Sequence, residues 1–191
     1  MSILDLSKTL MYDFHYNYIK KKFASKVNLL FTETDSLCHE IETEDFFKHI
    51  SADVQEKFDT SNFSPNHPSG IPTGINKKVP GIFKDEAGGE IIEEFVGLRA
   101  KLYAIKKLGG EEEKKCKGVK RGVVKKSISF KDLKKCLFSG RQQLRTMNII
   151  RSHKHEIYTE TINKIGLSSS DVKRIVRPDK INTLAHGYRA G

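Results

Sequence analysis

Residues 27–42, VNLLFTETDSLCHEIE, set an apolar run, a polar break carrying acids and a second alternating run in immediate succession. That order reads as two strands joined by a tight turn. Strand side chains alternate between faces, so the apolar face of such a hairpin needs a second layer to cover it. The preceding segment supplies one. Ile3, Leu6, Leu10, Met11, Phe14 and Tyr18 recur at helical spacing, predicting an amphipathic helix over residues 3–22, capped near Ser2 or Asp5. Lys20, Lys21 and Lys22 close it favourably against the helix dipole. Helix and hairpin together predict an α+β fold. At the turn, Glu33 and Asp35 sit two apart with their charges in repulsion. Two readings stand at this point: turn chemistry, because Thr, Asp and Ser bond their own backbone, or a pair of carboxylates collecting a divalent metal.

Further along, a short helix is expected near residues 43–50, started by Thr43, and Thr60–Gly74, with three prolines and two glycines, reads as a loop. GIFKDE and EIIEEFVGLRAKLYAIKK read as strands, the second long and bulged, with Gly88-Gly89 as the hairpin turn between them. Glu111-Glu112-Glu113 falls in a polar connection, GVVKKSISF resembles a strand and Lys131–Phe138 a helix. The last fifty residues are too polar for the pattern to assign an element. No internal repeat is visible.

At 191 residues the chain suits one medium domain, or one domain with a small appendage. Hydrophobic content of 37% against 30% charged residues makes much of the surface ionic. The formal net charge of +10 is unevenly placed. Residues 1–60 hold seven Lys and eleven acids, a net of −4, whereas residues 101–135 hold thirteen Lys or Arg and four acids, a net of +9. Such asymmetry points to a polyanion partner for the basic part. Lys101, Lys106, Lys107, Lys114, Lys115, Lys117, Lys120, Arg121, Lys125 and Lys126 are its candidate contacts. No apolar run reaches the roughly 18–20 residues of a membrane span, so no membrane is expected as a partner. MSILDLSKTLMYDF lacks the basic start and apolar block of a secretory leader. Cys38, Cys116 and Cys136 are scattered and odd in number, which fits free thiols in a reducing compartment, nuclear or cytoplasmic and not secreted.

Other candidates weigh less. His153 and His155 are two apart and would face opposite ways on a helix. Cys116 lies among lysines that favour a thiolate, yet no base accompanies it. Gly88-Gly89 and Gly109-Gly110 lack phosphate-loop spacing. Tyr12, Tyr16 and Tyr18 read as contacts of the first helix.

LSKTLMYDFHYNYIKKKF followed by LLFTETDSL resembles the segment of family B DNA polymerases that ends in their YxDTDS palm motif. HPSG, GIFKDEAGGEIIEEFVGLRAKLYAI, KKCKGVKRGVVKKSISFKDL and MNIIRSHKHEIYT are similar, in the same order, to the protein-primed branch of that family, of the Polinton/Maverick transposon and related virus type. The resemblance extends over almost the whole chain.

It implies an antiparallel palm sheet with helices over residues 1–117 and a small basic thumb-like region over 118–191, with a poorly defined tail. Asp35 falls on the second metal-binding aspartate of the palm motif and Glu33 on the first, where the family has Asp; Thr34 and Ser36 match. The implied cofactor is Mg²⁺, with Mn²⁺ as substitute, in two-metal nucleotidyl transfer. Lys101 and Tyr103 fall on the Lys-x-Tyr motif that holds the primer strand, and Lys120, Arg121, Lys125 and Lys126 on the region that grips duplex; Thr34, Ser36 and Lys117, at the end of the palm region, are further expected DNA contacts. Implied partners are a DNA primer-template, deoxynucleoside triphosphates and a terminal protein primer. In the family a further palm aspartate, a triphosphate-binding helix and a proofreading exonuclease precede these segments, so the expectation is a C-terminal palm and thumb fragment that does not polymerise alone. The alternative is a catalytically inactive basic DNA-binding module from a decayed mobile element.

Overall fold

Met11, His15, Ile19 and Phe23 are buried at a strict spacing of four along the first helical segment. On a regular α-helix residues four apart drift by about 40° per step, which would carry the later ones off the covered face. A wider turn corrects this. In the computed structural model, which describes residues 2–170, 174–180 and 182–188, helix α1 (Ser2–Asp13) runs into a π-helical turn (Phe14–Ile19) and then α2 (Lys20–Phe23). The helix predicted over residues 3–22 is therefore present. Its apolar stripe is covered only from Met11 onward; Ile3 and Leu6 are 83% and 69% exposed. Ala24, at φ 51, ends the segment.

Strands β1 (Val27–Thr32) and β2 (Leu37–Ile41) pair antiparallel with a bulge at Leu30, between the Leu29↔His39 and Phe31↔Cys38 pairs. Ile19, Phe23 and Val27 form one small core, joined by Phe14, Tyr18, Ile41 and Phe46. Helix α3 (Phe46–Ile50) is capped by Asp45, whose carboxylate accepts from Lys48 N–H at 3.1 Å, and not by Thr43 as predicted. Asp fits the position because its short acceptor arm reaches the first-turn donors. A second small core gathers Ile50, Val54, Phe63 and Ile71. Helix α4 (Val54–Lys57) leads to β3 (Phe58–Asp59), and buried Thr60 organises the predicted loop, its hydroxyl donating to Pro72 O at 2.9 Å. The Asn76 amide donates to Gln55 O at 2.8 Å and Phe58 O at 3.0 Å, closing that loop onto α4.

The hairpin predicted across Gly88-Gly89 does not form. β4 (Phe83–Lys84) pairs instead in parallel with β3. The Asp85 carboxylate accepts from Ala87 N–H at 2.8 Å and Gly89 N–H at 2.9 Å, winding the chain into a local turn. Gly89 is required there: its φ is 82, and an added Cβ would lie 2.5 Å from His67 Nε2.

The chain divides into two compact units, Met1–Ile92 and Glu93–Gly191. The palm–thumb boundary expected at 117/118 falls inside the second. There the predicted long strand is two, β5 (Ile92–Arg99) and β6 (Leu102–Lys107), folded at Ala100-Lys101, with Lys101 at φ 59. The expected polar connection contributes a strand, β7 (Glu112–Cys116), because its glutamates meet lysines of β6, at Lys106↔Glu112 in the register and in the Lys107–Glu113 ion pair. The strand predicted at GVVKKSISF is helix α5 (Arg121–Ser127), for Val124 and Ile128 lie four apart and both turn inward. Helix α6 (Phe130–Ser139) matches its prediction, with a Ser129–Asp132 capping box and Gly140 at φ 65 closing it. Val96, Leu98, Leu102, Ala104, Cys116, Val124, Leu133, Cys136 and Leu167 share one core.

The last fifty residues hold the longest strands: β8 (Gln143–His153) and β9 (Glu156–Leu167), an antiparallel ribbon turned at Lys154 (φ 47) and His155 (φ 68). β10 (Arg174–Val176) and β11 (Thr183–Ala185) pair beyond it. The fold is mixed α+β with small, mostly antiparallel sheets. Among the described residues no helix is long and apolar enough to cross a membrane.

Candidate functional site

The β1–β2 register places Glu33, Thr34, Asp35 and Ser36 together in the turn after Thr32↔Leu37. Glu33 N–H donates to Ser36 O at 2.9 Å, and the Ser7 hydroxyl on α1 donates to Thr34 O at 3.2 Å, fixing the tip to the helix. Thr34 and Asp35 are exposed, Glu33 and Ser36 half-buried, and one Glu33 carboxylate oxygen is fully covered. Among the described residues no group of three or more His, Cys, Asp or Glu converges to hold a metal ion. The donor set at the tip is two carboxylates on a hydrogen-bonded turn. Oxygen donors of this kind suit hard Mg²⁺, which keeps several waters and leans on substrate phosphates for the rest of its shell.

The second candidate region surrounds a recess of about 810 Å³ between β7, α5 and the β5–β6 turn. Lys101, Lys117, Arg121 and Lys125 line it, and all four are exposed. Lys117 N–H donates to Lys101 O at 2.9 Å, so these two side chains spring from adjoining backbone. Arg121 and Lys125 lie four apart on α5 and so share a face. Lys120 and Lys126 are exposed but do not line the recess.

The other lysines of the basic stretch are engaged. Lys106 pairs with Glu93 at 2.8 Å and Glu94 at 3.5 Å, and its bond to Glu93 raises its pKa. Lys107 is buried and pairs with Glu113 at 3.0 Å and Glu111 at 3.7 Å. Lys114 pairs with Glu112 at 3.1 Å. Burial alone would raise the Glu112 pKa, but the Phe130 N–H bond and Lys114 outweigh it and hold the carboxyl below its usual range. Lys115 and Tyr103 are cross-strand partners, the ammonium 5.9 Å from the ring centre, and Phe95 stands on the ring's other neighbour position at 6.0 Å. Tyr103 is half-buried in this stack.

Sequence reading missed Glu111, Glu112 and Glu113 as part of the recess wall. The signal was present as acids and bases alternating in blocks at strand spacing. Cys116 is buried, and burial raises its pKa although Lys114 and Arg145 pull the other way, which removes the thiolate reading. His153 ends β8 opposite Glu156 and His155 lies in the ribbon turn, so neither is on a helix. Compared with protein-family models, with curated proteins and with solved structures, the chain has no match.

Proposed function

We propose that the chain is the C-terminal palm and thumb part of a family B, protein-primed DNA polymerase, with Glu33 and Asp35 as metal-binding carboxylates and the recess cations as DNA contacts. The observation that carries this reading is the β1–β2 turn, which gathers both acids into one four-residue tip tied to α1 through Ser7. Two carboxylates two residues apart repel, and a cation arriving at the tip relieves that repulsion. A divalent ion there supplies activation of a primer 3′-hydroxyl and neutralisation of a leaving pyrophosphate. Glu33 keeps the charge of the family's aspartate on a longer arm. Lys101, Lys117, Arg121 and Lys125 attract the phosphates of a primer-template, and Tyr103 follows Lys101 two residues on, inside β6.

The test is a Mn²⁺ titration of the full chain followed by paramagnetic broadening of backbone amides. Broadening is expected first at Glu33–Ser36, at lower Mn²⁺ when primer-template and a deoxynucleoside triphosphate are present, and is lost in Asp35→Asn. Broadening centred on His153 and His155, or unchanged by Asp35→Asn, overturns the metal assignment. DNA binding without any metal at the tip leaves the inactive DNA-binding module as the function.

A further inference from the structure

His15 and His39, separated by 24 positions, meet with Nδ1 of the first 2.9 Å from Nε2 of the second. Their ring planes agree to within 10° and their centres are 5.1 Å apart. That separation is the hydrogen bond plus the two ring radii, so the rings are nearly coplanar and one N–H···N bond runs in line between them. His15 is buried and sits in the π-helical turn; His39 is half-buried on β2, opposite Leu29. The bond therefore joins the first helical segment to the strand that leads out of the acidic tip. A second polar tie joins the same segment to the tip: the Ser7 hydroxyl donates to Thr34 O at 3.2 Å.

A neutral imidazole has one donor and one acceptor nitrogen, and an imidazolium has two donors. In the pair, one facing nitrogen carries hydrogen and the other accepts it. A first added proton takes an outward nitrogen and leaves the bond intact. A second places N–H on both facing nitrogens, which abolishes the bond and sets two cations against each other away from solvent. A metal is a poor alternative, because two metal–nitrogen bonds of about 2.0–2.1 Å in line need about 4 Å between the nitrogens.

We propose that the His15–His39 contact is a proton-operated latch that holds the β1–β2 hairpin against the first helix while the pair carries at most one proton, and releases it when the pair carries two. The surroundings support this direction. Burial, reinforced by the Lys20 charge, lowers the His15 pKa; burial and then His15 lower that of His39 to about 4. The helical segment also brings Tyr16, edge-on to His15 at 4.7 Å. From β2 the neighbours in sequence are Cys38, whose thiol burial pushes up to about 11, and Glu40, which accepts from Asn28 Nδ2 at 3.2 Å across the hairpin. The latch acts on the tip whatever the tip binds, so it stands apart from the polymerase reading.

Hydrogen-exchange protection factors for the amides of residues 27–41 in the full chain, from pH 7.5 to 4, test it. Protection is expected to fall at least tenfold as pH drops, and to stay level in His39→Gln, whose amide can bond His15 but cannot take the proton. Level protection in the parent overturns the latch, as does a fall in His39→Gln equal to that of the parent. His15→Gln serves the same comparison if His39→Gln does not fold. Direct ring titration by ¹⁵N NMR gives a further check in the parent alone: two steps more than one pH unit apart are expected, and two rings titrating together at the ordinary value overturn the proposal.

Discussion

Glu33–Ser36 are four consecutive residues in one turn, whereas Lys101, Lys117, Arg121 and Lys125 reach their recess from a β-turn, a strand end and a helix. The acidic tip is local: its turn follows from the β1–β2 pairing, and its ties to the first helical segment come from Ser7 and His15. The basic recess exists only once β5, β6, β7 and α5 are assembled over their common core. A run of like charge thus becomes two populations on folding. Register hands Lys106 and Lys107 to carboxylates of neighbouring residues, Lys114 pairs with Glu112 along its own strand, and the turns and α5 leave Lys101, Lys117, Arg121 and Lys125 facing the recess.

If the recess depends on assembly, damage to the core should abolish it. Leu133 is fully buried in the core of the second unit. Leu133→Ala is expected to cost about 3 kcal/mol, read from urea unfolding, with loss of DNA binding under conditions where that unit melts. An unchanged midpoint would mean the core does not organise the recess.

The tip region is expected to respond to protons instead. His39 is lowered to about 4 from its ordinary 6.5, chiefly by burial. The unfolded chain therefore binds more protons between those values, so stability is full above about pH 6.5 and is lost as pH falls towards 4. Allowing for solvent around a half-buried ring, the loss is about 2 kcal/mol. Urea midpoints at pH 7 and pH 4.5, for the parent and His39→Gln, check it: the variant should lose less than the parent.

A smaller effect distinguishes the ordering of the long loop. Asn76→Ala removes the donor to Gln55 O and Phe58 O and is expected to cost about 1–2 kcal/mol, read as a lowered urea midpoint. Retention of the parent midpoint would show that Thr60 alone holds the loop.

How much of this was legible in the sequence follows the same division. The first helix, the hairpin, α6 and the acid tip could be read because each is specified within about twenty residues by period and capping. The π-helical turn left a trace in the spacing of four from Met11 to Phe23, which a search for the 3.6 period alone does not distinguish. β7 was hidden because its stability lies in cross-strand Lys–Glu pairs, and those require the register. The β8–β9 ribbon was hidden because ten of its residues, among them Thr146, Asn148, Thr159 and Thr161, are polar and exposed, so hydrophobicity gave no alternation; its β-branched content was the available signal. The parallel β3–β4 pair joins residues twenty-five apart and has no local mark.

The central claim is that folding sorts the basic stretch, and a salt titration tests it most directly. Anisotropy of a labelled primer-template duplex would be measured across salt for the parent, Arg121→Gln/Lys125→Gln and Lys106→Gln. With four recess cations on phosphates, the slope of log affinity against log salt is expected near −3.6 for the parent and near −1.8 for the double variant. Lys106→Gln should keep the parent slope, because Lys106 is already paired with Glu93 and Glu94. Equal loss of slope per charge removed, wherever it is removed, would contradict the sorting and make the stretch a diffuse field of charge; no salt dependence at all would remove DNA from the account.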